Sequence, residues 1–165
     1  MSVLVFIETK GKISKAAKEA VTYGSKIGAT TVVTFGDTDA AVLASIGDNG
    51  ANKVLVCRSL SEGNDQQLTK LIAAAANDCG ADVIVVSQDQ LGKAIAPRVA
   101  ANLEAGHVSG AVALPDTSSG FVVKTNVFSG KAFANVSVNS SKKVISLLPN
   151  SIPPESTGGS AEVAE

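Results

Sequence analysis

Across roughly its first hundred residues the chain alternates short apolar, β-branched runs with stretches of helical periodicity, and this alternation restricts the fold more than any other feature. Val3–Ile7, Thr30–Phe35, Lys53–Cys57 and Val83–Val86 read as strands. Between the first two, Ser14 offers a helix N-cap, Ala17, Ala20, Val21 and Gly24 follow at helical spacing, and Gly28 is expected to close the helix in the left-handed conformation. Asp39 is placed to cap a short helix through Ala40, Ala41, Leu43 and Ala44. Leu68, Leu71, Ile72, Ala75 and Cys79 recur at i, i+3, i+4, i+7 and i+11, with Asp65 at the dipole-favoured start and Gly80 at the end. Ile95, Val99 and Leu103 mark a last helix, with Pro97 expected in its first turn, where the missing N–H is not needed; a kink is the alternative. A strand followed by a crossover helix and another strand demands parallel pairing and right-handed connections. The expectation is a three-layer α/β fold, a largely parallel sheet with helices on both faces.

After Gly106 the pattern changes. His107–Leu114, Phe121–Phe128, Ala132–Val138 and Lys143–Leu148 are short strand-like runs broken by turn residues, and the last three are expected to pair as hairpins or a meander, extending the sheet with antiparallel strands. From Pro149-Asn150-Ser151-Ile152-Pro153-Pro154 onward the chain turns to Gly, Ser, Ala and Glu, the composition of a linker with no core-forming pattern. The reading is a domain over 1–150 and a linker or tail over 151–165. Alternate residues of a strand face opposite ways, so Phe121, Val123, Val127, Phe128 and Phe133 cannot all reach the core, and an exposed apolar strip is expected on or beside these strands.

Several function classes fall away. A net charge of −1 without a basic cluster gives no footprint for nucleic acid. The apolar opening run is too short and lacks the basic flank of a signal peptide, and no stretch approaches the roughly 20 apolar residues that span a bilayer. Cys57 and Cys79 have no metal-ligand spacing and only His107 to assist them; they read as buried free thiols suited to a reducing cytosol, so a cytoplasmic location is expected. Asn135 and Asn139 begin glycosylation sequons that carry no meaning without secretion.

In such a sheet the default ligand crevice lies beyond the carboxyl ends of strands at the topological switch point. The loops Glu8–Gly11 and Ser87–Gly92 are the candidates. No GxGxxG follows the first strand; Gly92-Lys93 has Ser87 where a phosphate loop needs glycine and Ala94 where it needs Ser or Thr; no GxSxG occurs. Glu8 and Asp89 are two carboxylates on these loops and could do acid/base work. The favoured reading is that they cap local backbone or pair with Lys10 and Lys93. Arg98 is either a solvated charge or a tie to a neighbouring loop or partner, and His107 is read as structural. No catalytic or metal constellation emerges, and Glu8, Asp89, Gly92 and Arg98 stand as weak cofactor candidates.

Gly92-Lys93-Ala94-Ile95-Ala96-Pro97-Arg98-Val99-Ala100-Ala101 resembles a segment of electron transfer flavoprotein α-subunits. Gly106-His107-Val108-Ser109-Gly110 is similar to the family's Gly-x-Val-Ser-Asp turn, Val127–Ala132 to its Ile-Tyr-Ala-Gly-Asn-Ala hairpin, and Leu148–Pro154 to its Arg-Pro-Asn-x-Phe segment. Order and spacing match along the whole chain, whereas Ala94, Gly110, Lys124-Thr125 and Lys131 depart from the family's polar residues. The resemblance implies the N-terminal domain of such an α-subunit, with an adenine-nucleotide α-hydrolase-like, Rossmann-like fold. It implies a scaffold that contacts a β-subunit, no enzyme activity of its own, and a chain that is one piece of a longer protein. FAD would sit mainly on a further C-terminal domain of the heterodimer, fed by dehydrogenases, with no cofactor expected on this chain alone and no direct membrane insertion. The alternatives are a stand-alone adenine-nucleotide-binding module of the universal-stress-protein type, and a small hydrolase built on Glu8 and Asp89.

Overall fold

The computed structural model describes residues 1–165 and contains one nine-stranded sheet. In chain order the elements are β1 (Ser2–Phe6), α1 (Lys15–Ile27), β2 (Ala29–Phe35), α2 (Ala40–Ala44), β3 (Lys53–Cys57), α3 (Asp65–Asp78), β4 (Val83–Ser87), α4 (Gln90–Asn102), β5 (Gly106–Ala111), β6 (Val122–Val127), β7 (Ala132–Ser137), β8 (Lys143–Leu147) and β9 (Glu162–Ala164), with 3-10 turns at Ser45–Asn49 and Phe128–Gly130. The strand order is β7-β6-β5-β8-β4-β1-β2-β3-β9. All pairings are parallel except β5 with β6 and β6 with β7. The expected α/β architecture is present.

Two apolar cores follow from the pleat. Val3, Val5, Val83, Val85 and Ile145 meet α1 and α2 through Ala17, Ala20, Val21 and Leu43 on one face. Leu4, Phe6, Ile84, Val86 and Val144 meet α3 and α4 through Leu68, Ile72, Ile95 and Val99 on the other. Strands buried on both faces must be apolar throughout, which is why β1 and β4 show no alternation.

Helix starts follow local chemistry. Ser14 Oγ accepts the Ala17 amide at 3.1 Å, and Asp39 Oδ1 accepts that of Ala41 at 2.7 Å. At α3 the cap is Asn64, one residue before Asp65, and it forms a capping box with Gln67. Gly28 does not close α1 in the left-handed conformation; its φ is 178°, extended backbone open to any residue, and a Cβ there would approach the carbonyl oxygen of the terminal Met1 at 2.1 Å. Pro97 is not in a first turn. α4 begins at Gln90 behind an Asp89 cap, which places Pro97 inside the helix. The two cysteines are free and half-buried rather than fully buried, and burial pushes the Cys79 thiol up.

The C-terminal third departs most from expectation. β6 and β7 form a hairpin, but β8 does not continue a meander: it inserts in parallel between β4 and β5. Val144, Ile145, Ser146 and Leu147 are all buried, as the middle of a sheet requires and an edge does not. The segment read as a tail runs as a strap across α1 and the Ser45–Asn49 turn. The Asn150 amide donates to Glu19 Oε2 at 2.9 Å, and Lys15 Nζ to Asn150 Oδ1 at 2.8 Å. Glu155 pairs with Lys26, its amide donates to Thr22 Oγ1 at 3.1 Å, and its carbonyl accepts Asn49 Nδ2 at 2.8 Å. Ser156 and Gly158 bond Asp48, Ala161 is buried, and β9 closes the β3 edge. Hydrogen bonding to preformed acceptors, not apolar periodicity, orders this stretch, so its composition alone looks like a linker.

Candidate functional site

The carboxyl ends of β1 and β4 lie side by side, and their following helices leave toward opposite faces. This is the topological switch point. The crevice there has a volume of about 200 Å³ and is lined by Glu8, Lys10, Lys12, Ser14, Asp89 and Gly92 among others. Glu8 lies 3.2 Å from Lys10 Nζ, a pair whose lysine is 80% exposed and which therefore contributes little. Asp89 Oδ1 accepts the Gly92 amide at 2.8 Å, placing a negative charge at the N-terminus of α4 where an anionic ligand would dock. A Cβ on Gly92 would lie 1.8 Å from the Ser87 carbonyl oxygen, so glycine lets α4 start against the end of β4. Arg98 is exposed on the outer surface of α4, beside Gln66, Thr69 and Lys70 of α3, and does not reach the crevice. Glu8, Asp89 and Gly92 are thus brought together, Arg98 is not, and each carboxylate is engaged locally.

His107 Nε2 shares a 3.0 Å hydrogen bond with Ser146 Oγ across β5 and β8. Burial lowers the imidazole below its ordinary value, which favours the uncharged ring. Ser146 is buried, so this pair ties strands together and presents no nucleophile to solvent.

One feature escaped the sequence reading. Thr9 Oγ1 lies 3.1 Å from Thr34 Oγ1 and accepts from Thr38 Oγ1 at 2.9 Å, a buried hydroxyl chain joining the loops after β1 and β2. It floors a polar cavity of about 400 Å³ with Asp37 and Glu62 on its rim. Thr34, the polar residue in the buried half of an apolar strand, was the signal for it.

The switch-point crevice is below the roughly 300–1,000 Å³ of ligand pockets, and its helix terminus is already occupied by a carboxylate. Calorimetry of this chain with FAD, AMP, ADP and ATP is expected to give no dissociation constant tighter than roughly millimolar, about −4 kcal/mol. A micromolar constant for an adenine nucleotide would favour the stress-protein alternative instead.

The hairpin end of the sheet differs in character. Phe121 and Val123 fill the core, whereas Val127, Phe128 and Phe133 are 39%, 77% and 62% exposed. The expected strip is reduced to separate exposed residues: Val127 shares the face of buried Val123, Phe133 lies opposite Asn126 on the other face, and Phe128 sits in the turn between them. The family model for the electron transfer flavoprotein domain matches residues 3–165. The chain belongs to the electron transfer flavoprotein domain family. Comparison with curated proteins gives no match. Electron transfer flavoproteins are electron carriers rather than catalysts in the usual sense, and the match runs through the strap and β9 to Glu165.

Proposed function

We propose that this electron transfer flavoprotein domain is the N-terminal scaffold and subunit-contact domain of an α-subunit. In this reading it works in the cytoplasm within a heterodimer whose FAD is held by a further domain and which carries electrons from dehydrogenases. The observation that carries the reading is Phe128 and Phe133, large aromatics left in solvent at one end of a fold whose other aromatic side chains are buried in two closed cores or nearly so. Lasting interfaces are enriched in such aromatic anchors. The segments that carry the α-type resemblance include the start of α4, the strand β5 and the hairpin turn that bears Phe128. No helix is long and apolar enough to cross a membrane.

Co-expression with a cognate β-subunit is expected to give a one-to-one complex on size exclusion. Phe128→Ser with Phe133→Ser is expected to weaken it by about 30-fold or more, the size of one hot-spot anchor. Failure of the unaltered chain to retain any β-subunit would remove the subunit-contact assignment.

A further inference from the structure

The two edges of the sheet are treated differently. At β3, the strap lays down β9, only three residues long and beginning with Glu162, which shields the edge. At the other end β7 has no neighbour beyond it. Its six residues, Ala-Phe-Ala-Asn-Val-Ser, include no charge and no proline, the usual devices that protect an edge.

Register shows which backbone groups are free. Val138 donates its amide to the Phe121 carbonyl, and the ladder continues from there with Val136 opposite Val123 and Ala134 opposite Thr125. Hydrogen-bonded residues alternate along an antiparallel strand. The even-numbered residues of β7 therefore bond β6, and the amides and carbonyls of Phe133, Asn135 and Ser137 point outward. On the opposite side of β6, Val112 donates to the Lys124 carbonyl, which fits the same alternation.

The hairpin itself carries charge of one sign: Lys124 and Lys131, with no acidic residue from Thr117 to Pro154, although the whole chain carries −1. The acid before this stretch, Asp116, bridges to Val122 on the β5 side of β6, away from the β7 edge. Neither lysine is in an ion pair. Lys124 Nζ sits 4.4 Å from the Phe133 ring centroid, and Lys131 Nζ 5.7 Å from that of Phe128. A second copy of this chain placed edge to edge would bring lysine against lysine.

We propose that β7 is a strand-addition site: an extended segment of a partner protein, carrying Asp or Glu beside apolar residues, pairs with the outward groups of Phe133, Asn135 and Ser137. Main-chain bonds supply the pairing, Phe133 packs on the partner's apolar side chains, and Lys124 and Lys131 meet its carboxylates. This rests on the subunit-contact reading and specifies how the contact is made.

Asn135→Pro tests it, because it deletes an outward amide while leaving every bond to β6 intact, and edge strands accept proline. Asn135→Thr keeps the amide and changes only the side chain. The probe is a cognate β-subunit immobilised on a sensor, with circular dichroism and thermal unfolding to verify each variant. Should Asn135→Pro unfold, Ser137→Pro removes an outward amide at the far end of the strand and replaces it. The proposal expects binding by the unaltered chain, at least tenfold weaker binding by the proline variant, near-native binding by Asn135→Thr, and at least tenfold loss with Lys124→Glu plus Lys131→Glu. Equal binding by Asn135→Pro, or equal loss in Asn135→Thr, overturns strand addition while the contact reading stands. No binding by the unaltered chain overturns both, and a stable homodimer through this edge overturns the acidic partner.

Discussion

Gly92→Ala is expected to lower the stability of the domain by about 3 kcal/mol, the upper part of the range for overpacking a close contact. Two effects oppose each other. Alanine inside a helix is favoured over glycine by about 1 kcal/mol. Against this, the added Cβ would lie 1.8 Å from the Ser87 carbonyl oxygen and 3.0 Å from its carbon. Those are backbone atoms of the last residue of β4, so no rotamer change relieves the clash, and α4 must move off the sheet together with Ile95 and Val99, both fully buried. The steric term wins. For a chain of this size the loss corresponds to a midpoint lower by about 6–12 °C. Gly28→Ala is the control. Its Cβ would also strike a carbonyl, at 2.1 Å, but that carbonyl belongs to Met1, an exposed terminal residue able to move. Thermal unfolding followed by circular dichroism should show a large shift for Gly92→Ala and a small one for Gly28→Ala. Equal shifts would mean that the junction of β4 and α4 is not rigid.

The second large effect concerns the strap. Gly47→Ala is expected to release residues 155–164 while the rest of the domain stays folded. A Cβ on Gly47 would lie 2.2 Å from the Ala161 nitrogen and 2.3 Å from the Ser160 carbonyl carbon. The strap is held by hydrogen bonds worth about 1 kcal/mol each net of water. Ordering its roughly ten residues opposes this at about 1–2 kcal/mol per residue. The cost of ordering thus offsets most of what the bonds contribute, so a clash of about 1–3 kcal/mol is enough to decide the outcome. Limited proteolysis within the strap should accelerate by about 5- to 150-fold, since cleavage tracks the open population. An unchanged rate would show that the strap is anchored far more firmly than its bonds suggest. Acid should act in the same direction. The Ser156 hydroxyl and the Gly158 amide hold the Asp48 carboxyl below its ordinary value. A depressed folded value stabilises the strap in full above the unfolded carboxylate value of about 3.9, and this contribution disappears as pH falls through the folded value. Strap cleavage by an acid-active protease should therefore rise below about pH 4 in the native chain, and the Asp48-dependent part of that rise should vanish in Asp48→Asn.

Residues that act on their near neighbours along the chain were legible. Ser14, Asp39 and Asp89 lie at helix starts because a short polar side chain there satisfies an amide two or three residues on. The continuous apolar runs of β1 and β4 required burial on both faces, and that requirement led from sequence to a central parallel sheet. The absence of a phosphate loop was equally local, because such a loop is a contiguous motif. The Glu8–Lys10 pair and the Asp89 cap are contacts over a few residues, so the local reading of those two carboxylates was within reach of the sequence.

What the tertiary structure decided were matters of who lies beside whom. Lys143–Leu147 carries the same residue types whether it continues a hairpin or enters the middle of the sheet; it enters because β4 and β5 leave a gap that only a strand apolar on both faces fills. Residues 155–164 offer little apolar beyond Ala161 and Val163, which reach the core, and become ordered because Thr22, Asp48, Asn49 and the β3 edge already stand in place. The same holds for β7, whose composition reads as an ordinary strand. Its outward amides exist only because the chain places nothing beyond it, and an unpaired edge is a property of the assembled sheet, since hydrogen-bond partners are set by neighbours in space and side-chain propensities are set by neighbours in sequence.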